Sequence, residues 1–173
     1  QVVPSLVAGG LQQLTFFHNV ALQTDRGIPK IDEDEMAAAK RRLEASLCEI
    51  PEAASVSVEV MTGRAKDNIL GLVESTESAL VFLGMPTRNL LTEKLFGSTT
   101  MGLVERLQVP VMILRPQLIS TYTTPELELR CQGLFRYLLV PYDGSATSDQ
   151  LLHRIQSAVE KSPEQVLERC LIV

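Results

Sequence analysis

The sequence predicts an α/β protein with a doubly wound, mainly parallel sheet of five strands. Short apolar runs alternate along the 173 residues with longer amphipathic runs, which is the rhythm of strands and helices in such sheets. The run Ala79–Gly84 is short and wholly apolar, as expected of a central strand covered on both faces. Apolar residues make up 45% of the chain and charged residues 21%, which allows a sizeable core.

Apolar or alternating runs bounded by turn residues predict the strands, which in chain order are Leu14–Leu22, Ala54–Met61, Ala79–Gly84, Val109–Leu114, Leu134–Tyr142 and Leu167–Val173. Gly63 closes the second of these strands. Pro110 is compatible with the start of a strand or with an edge, so Val109–Leu114 is a plausible edge strand.

Helical spacing of apolar residues predicts the helices, which are the tail of a helix at Pro4–Gln13, then Ile31–Ile50, Arg64–Ser78, Ser98–Leu107 and Ala146–Lys161. Acidic residues from Asp32 onwards open the second helix and Pro51 ends it. The stretch Gln23–Lys30 contains Gly27 and Pro29 and is predicted to be a loop.

A polar, Thr-rich stretch interrupts this pattern. Residues 117–133 are predicted to be a linker, with Pro125 in the middle of it. Residues 1–116 then form one unit that lacks its first strand, and residues 134–173 supply the first strand, helix and second strand of another unit. The alternative is that Leu134–Val140 completes the sheet of the first unit.

Composition limits the partners and the compartment. The net charge is −5 without a basic patch, which argues against nucleic acid as a partner. The three cysteines are scattered, so neither a disulfide framework nor a zinc site is supported, and a cytoplasmic, reducing location fits. No run is long and apolar enough for membrane insertion, and no secretory signal is visible.

The segment from Gly84 to Ser98 has the layout of a phosphate-binding loop. It joins the end of a strand to the start of a helix, where ligands of open α/β sheets bind. Gly97 allows close approach of the backbone to a phosphate, Ser98 and Thr99 offer hydroxyl groups, and Arg88 could pair with the anion. Taken alone, such a segment is more often only a turn and a helix cap. It matches neither the dinucleotide nor the Walker glycine pattern.

The run GMPTRNLLTEKLFGSTTMGLVERLQVPVMILRP resembles the carboxyl-terminal signature of the universal stress protein family. Nucleotide-binding members show Gly-x2-Gly-x9-Gly-Ser/Thr, and Gly84, Thr87, Gly97 and Ser98 stand at that spacing. Thr87 replaces the second glycine of the motif. The segment LLVPYDGS, which ends at Ser145, resembles the first strand of the family and its ligand-contacting aspartate, as in a tandem arrangement.

The resemblance implies an adenine nucleotide alpha hydrolase-like fold with strand order 3-2-1-4-5 and a homodimer through the strand Val109–Leu114. It also implies binding of ATP or AMP, with Mg²⁺ accompanying ATP. The residues that it assigns to the nucleotide are Gly84, Thr87, Arg88, Gly97, Ser98 and Thr99 around the phosphates, and Val20, Ala21, Val60, Met61 and Asp143 around the adenosine.

Two functions remain open at this stage. One is a regulatory stress module that binds an adenine nucleotide and is not an enzyme, because no activated base or nucleophile is evident. The other is a nucleotide-free dimerisation or interaction module, such as the regulatory part of a membrane transporter.

His18 is predicted to be a hydrogen-bonded core residue, and His153 is predicted to form a surface pair with Asp149.

Overall fold

The computed structural model describes residues 2–25, 28–47, 49–84, 98–114, 119–161 and 166–173. In chain order the elements are α1 (Val3–Ala8), β1 (Gln13–Val20), β2 (Gln23–Asp25), β3 (Ile28–Lys30), α2 (Glu33–Ala45), β4 (Ser55–Thr62), α3 (Ala65–Ser75), β5 (Val81–Gly84), α4 (Ser98–Val104), β6 (Val111–Leu114), α5 (Thr124–Gln132), β7 (Tyr137–Val140), α6 (Ala146–Lys161) and β8 (Arg169–Ile172).

The alternation of strands and helices confirms the predicted α/β class. β5 and β6 pair in parallel, with Val81 opposite Val111 and Gly84 opposite Leu114. β7 and β8 also pair in parallel, with Tyr137 opposite Arg169. Parallel neighbours require a crossover connection, which in these cases includes α4 and α6 respectively. Within each pair, the carboxyl ends of the two strands therefore lie at the same edge, and the predicted phosphate loop follows the carboxyl end of β5.

The strands of the described part pair two by two, as β1–β4, β2–β3, β5–β6 and β7–β8. A single five-stranded sheet is not seen among these residues, so the order 3-2-1-4-5 stays a prediction. β1 and β4 are also joined by a side-chain hydrogen bond, because the Ser57 hydroxyl donates to Thr15 Oγ1 over 3.0 Å.

The acidic start of α2 forms the predicted N-terminal cap. The Asp32 carboxylate accepts a hydrogen bond from the backbone N–H of Glu35 at 2.9 Å, and three acidic residues occupy the first turn. The helix ends at Ala45, earlier than the predicted Ile50. Glu49 has a left-handed backbone with φ of +54°, which a right-handed helix cannot include.

The helix α6 covers the predicted range Ala146–Lys161. Ser145 caps it, since its Oγ accepts from the backbone N–H of Ser148 at 3.2 Å and its carbonyl accepts from the Ser148 hydroxyl at 2.8 Å. Gly144 precedes the cap with φ of +74°, a conformation that glycine adopts without strain. The local sequence therefore determines where this helix begins.

The loop predicted at Gln23–Lys30 is instead an antiparallel hairpin. β2 and β3 pair with Gln23 opposite Lys30, Thr24 opposite Pro29 and Asp25 opposite Ile28. Pro29 lies in a short strand of a two-stranded sheet, where a missing N–H can face away from the partner. The turn residues Arg26 and Gly27 lie outside the described residues.

The predicted linker is also partly ordered, because Thr124–Gln132 forms the helix α5. Pro125 falls in its first turn, where a proline removes no helical hydrogen bond. The following residues Glu126, Leu127, Glu128, Leu129 and Arg130 are all good helix formers. The interpretation of Pro125 as a mark of irregular chain was therefore wrong.

The strand β5 is less covered than predicted. Val81, Phe82 and Leu83 are half-buried and Gly84 is exposed, whereas a central strand with two covered faces would be buried throughout. The buried apolar residues of the described part are Val3, Val20, Ala39, Leu103 and Val140.

The chain divides into two compact units. The first unit contains residues 1–14, 47–56 and 124–173, and the second contains residues 15–46 and 57–123. Within the first unit α1 packs against α5. The predicted boundaries at residues 116 and 134 stay a prediction. Among the described residues, no helix combines the length and the apolar character that crossing a membrane requires.

Candidate functional site

Gly84, the first residue of the predicted phosphate loop, lies at the carboxyl end of β5. It is exposed, and a methyl group built on it would have no atom within 4 Å among the described residues. Among the described residues, nothing therefore blocks the approach of a ligand to Gly84. Thr87, Arg88 and Gly97 of the predicted loop lie outside the described residues.

The helix that follows the loop begins at Ser98, the predicted position. Ser98 and Thr99 are its first residues, and their side chains lie outside what the structure describes. Thr100 is buried, and Leu103 is the most deeply buried large side chain, with 1% of its surface exposed. Leu103 packs α4 into the second unit, and this packing fixes the position of the helix and of its first residues.

The four residues predicted at the adenosine side lie at or near the carboxyl ends of β1 and β4. Val20 ends β1 and keeps only 6% of its surface exposed, while Ala21 follows it and is exposed. Val60 and Met61 are half-buried in β4, just before Thr62 ends the strand. All four belong to the second unit, as do Gly84, Ser98 and Thr99.

A pair of asparagines joins these same strand ends and was not predicted as part of the site. The Asn68 amide donates to Asn19 Oδ1 and to the Thr62 carbonyl, each at 2.8 Å. The Asn19 amide donates to the Gly63 carbonyl at 3.1 Å and to the Val20 carbonyl at 3.3 Å. The only signal in the sequence is an asparagine inside a strand, where that residue is uncommon.

Asp143 acts as part of a helix cap in the first unit. Its Oδ1 accepts a hydrogen bond from the backbone N–H of Ser145 at 2.9 Å. Hydrogen bonding by Ser145 is the main reason that the pKa of Asp143 is lowered to about 2. The predicted contact of Asp143 with a nucleotide stays a prediction.

A small basic cleft lies beside the start of α3. Arg64, Ala65, Lys66, Asp67 and Arg106 line a cavity of about 360 Å³. Arg106 pairs with Asp67 at 3.6 Å, with both side chains more than half exposed, so the pair contributes little to stability. A Cβ at Gly102 would overlap Lys66 Nζ and lie 2.9 Å from its Cε, so the lysine side chain passes over Gly102.

A second cavity, of about 740 Å³, lies in the first unit and contains none of the predicted site residues. Its lining includes Leu129, Tyr137, Val166 and Glu168. Glu168 accepts hydrogen bonds from Arg136 and from the Tyr137 hydroxyl, the latter at 2.9 Å. The Arg136 hydrogen bond is the main reason that the pKa of Glu168 lies below its ordinary value.

The prediction for His18 was wrong, whereas the predicted surface position of His153 on a helix is confirmed. His18 is exposed on β1 rather than buried. His153 is exposed on α6, and Asp149 instead accepts a hydrogen bond from the Tyr142 hydroxyl at 2.9 Å. In the described part of the chain, no three His, Cys, Asp or Glu side chains are grouped as metal ligands.

The observed elements define an α/β protein. Its helix α4 begins with hydroxyl-bearing residues and follows the carboxyl end of β5 along the chain. Residues 13–115 match the universal stress protein family. The match spans more than half of the chain, so the chain belongs to the universal stress protein family. The tandem arrangement of two such units stays a prediction.

The chain was also compared with solved structures and with curated proteins. The crystal structure of a hypothetical protein, PH0823, is similar with a TM-score of 0.48 and 20% sequence identity. The alignment covers 64% of this chain and 85% of that chain. A search of curated proteins found no match.

Proposed function

We propose that the chain is a regulatory stress module that binds ATP or AMP at the carboxyl ends of β1, β4 and β5. The observation that carries this proposal concerns the two ends of the loop: β5 ends at the exposed residue Gly84, and α4 begins at Ser98. A helix start behind a glycine-containing loop provides backbone N–H groups for a phosphate. Membership of the universal stress protein family supports the same site.

The residues proposed at the phosphates are Gly84, Thr87, Arg88, Gly97, Ser98 and Thr99. Mg²⁺ would accompany ATP and shield the charge of its phosphates. The residues proposed at the adenosine are Val20, Ala21, Val60 and Met61, through their backbone; the buried Val20 fixes the end of β1, and Ala21 after it is exposed. We propose no catalytic residue.

Thermal unfolding with ATP, with AMP and without nucleotide tests the proposal. A ligand that binds only the folded state raises the melting temperature. We expect a rise with millimolar nucleotide in the wild-type chain and none in Gly97→Leu, because a bulky side chain would block the phosphate. The matched control is Gly71→Leu, since Gly71 is exposed in α3 with no atom within 4 Å of an added Cβ. A wild-type chain that is folded by circular dichroism and shows no rise would refute nucleotide binding.

The second candidate is a nucleotide-free dimerisation module. The observation in its favour is that β6 pairs only with β5 among the described residues. The other edge of β6 can therefore add a strand from a second copy. Thr87 also favours this candidate, because a β-branched residue replaces a glycine of the nucleotide motif. The thermal experiment separates the candidates, since only the first expects a nucleotide effect.

A further inference from the structure

The Asn19–Asn68 pair ties together three segments of the second unit. Asn19 is the penultimate residue of β1, and Asn68 lies in the first half of α3. Both amides are partly buried, and their hydrogen bonds reach each other and the backbone at Thr62 and Gly63, where β4 ends and turns towards α3. The end of β1, the end of β4 and the start of α3 are thus fixed relative to one another.

This network uses both polar atoms of the Asn19 side chain and the amide nitrogen of Asn68. Asn68 donates twice from its Nδ2, and Asn19 accepts on Oδ1 and donates from Nδ2. Asparagine is disfavoured in strands, and apolar residues would fill a partly buried position of β1 with less desolvation. The amide network instead favours one geometry, because each hydrogen bond depends on direction as well as distance.

We propose that the Asn19–Asn68 pair positions the carboxyl end of β1 for the nucleotide, by holding Val20 and Ala21 in a fixed place beside the end of β4. The inference rests on the proposed nucleotide site and adds two positioning residues to it. The Asn19 amide also reaches the Val20 carbonyl, at 3.3 Å. The pair therefore acts directly on a backbone group of the proposed adenosine contact.

Nucleotide affinity of the Asn68→Ala variant tests the inference. This substitution leaves Asn19 Oδ1 and the Thr62 carbonyl without their donor. We expect the dissociation constant for ATP, measured by calorimetry at a temperature where all variants are folded, to rise about tenfold, because the end of β1 loses two hydrogen bonds that hold it in place and part of this loss appears in the affinity. Asn19→Ala is expected to have a similar effect. The two effects should not add fully in the double variant, so its dissociation constant for ATP should be less than about tenfold above that of either single variant.

The matched control is Ser57→Ala. It removes a side-chain hydrogen bond between the same two strands, β1 and β4, away from their carboxyl ends. We expect its ATP affinity to equal that of the wild-type chain. Equal affinities of Asn68→Ala and Ser57→Ala would overturn the inference and leave the proposed function standing. A wild-type chain that binds no ATP would overturn both.

A measurement on the unaltered chain covers the case in which the asparagine variants do not fold. The chain has three asparagines, Asn19, Asn68 and Asn89, so their ¹⁵N-labelled side-chain amide signals form a small set. We expect the signals of Asn19 and Asn68 to shift as ATP is added. If both signals stay in place in the ATP-saturated protein, the inference is overturned.

Discussion

The carboxylate of Asp143 connects the end of β7 to the start of α6. It accepts a hydrogen bond from the N–H of Ser145, whose own side chain caps the helix. The ionised form accepts these hydrogen bonds best, which is why the pKa of Asp143 falls from 3.8 to about 2. The resemblance to universal stress proteins assigns this aspartate to a ligand, whereas its geometry gives it a structural task.

Asp143→Ala should lower the melting temperature at neutral pH, because the helix loses part of its cap. A lowered pKa in the folded state stabilises the protein above the unfolded-state pKa, and this contribution is lost as the pH falls through the folded-state pKa. The difference in melting temperature between wild type and variant should therefore shrink between about pH 4 and pH 2.

Asp143→Asn is the control for this experiment, because asparagine keeps an oxygen that accepts the same hydrogen bond without the charge. Its melting temperature should lie between those of the wild-type chain and the alanine variant at neutral pH. A difference between wild type and Asp143→Ala that stays constant down to pH 2 would contradict the role of the ionised carboxylate.

At the residue scale, the candidate site residues that the sequence predicts at the phosphates belong to a short motif, whereas the two asparagines of the further proposal are brought together only by the fold. Gly84 and Ser98 stand in one contiguous run with recognisable spacing. Asn19 and Asn68 lie 49 residues apart, and their pairing depends on where β1 and α3 come to lie. A single sequence has no local signal for such a contact.

Among the elements, β6 has one edge that pairs with β5 and a second edge on its other side. The Pro110 carbonyl accepts from the N–H of Val81 at 3.0 Å. Backbone groups of successive residues in a strand point to opposite sides, so Met112 also faces β5 while Ile113 faces the other edge. These two residues therefore distinguish the internal ladder from the proposed dimer edge.

If two copies pair through β6, Ile113→Pro should convert the dimer to a monomer, because proline removes an N–H from the outer edge. Size-exclusion chromatography with light scattering gives the mass. Met112→Pro in the same strand should instead lower the stability of the chain, since it removes an N–H from the ladder with β5. An Ile113→Pro variant that stays dimeric, or a monomeric wild-type chain, would rule out this interface.

Elements with strong local signals were predicted best. α6 begins after a serine cap and has long regular amphipathic spacing, and its predicted bounds agree with those observed. The hairpin β2–β3 and the helix α5 were missed, because Pro29 and Pro125 also mark loops. A proline at a short strand or in a first helical turn cannot be told from a loop proline without the rest of the fold.

At the scale of the whole molecule, the first compact unit is assembled from the beginning, the middle and the end of the chain. The contact between α1 and α5 is close at Gly9, where a Cβ would lie 2.5 Å from the carbonyl oxygen of Cys131. The family match over residues 13–115 could be anticipated from motifs. The recruitment of residues 1–14 into a unit with residues 124–173 could not, because it depends on packing between distant segments.

Gly9→Ala should lower the free energy of unfolding by about 1–3 kcal/mol, because the added methyl group forces α1 away from the backbone of α5. The control is Gly71→Ala in α3, which meets open space and should stabilise the chain by up to about 1 kcal/mol. Urea unfolding measures both values. An unchanged stability of Gly9→Ala would show that the segment after residue 123 behaves as an independent unit.

The two parallel ladders, β5–β6 and β7–β8, have a consequence for the time course of folding. In each ladder the two strands are separated along the chain by a crossover connection. This connection has to bring the two strands together before any ladder hydrogen bond forms. During synthesis β5 and β7 therefore emerge with open edges and remain unpaired until their partners have been made. The chain passes through a period in which its apolar strands are accessible to other molecules, so its yield in cells should depend on chaperones and on translation rate more than its final stability suggests.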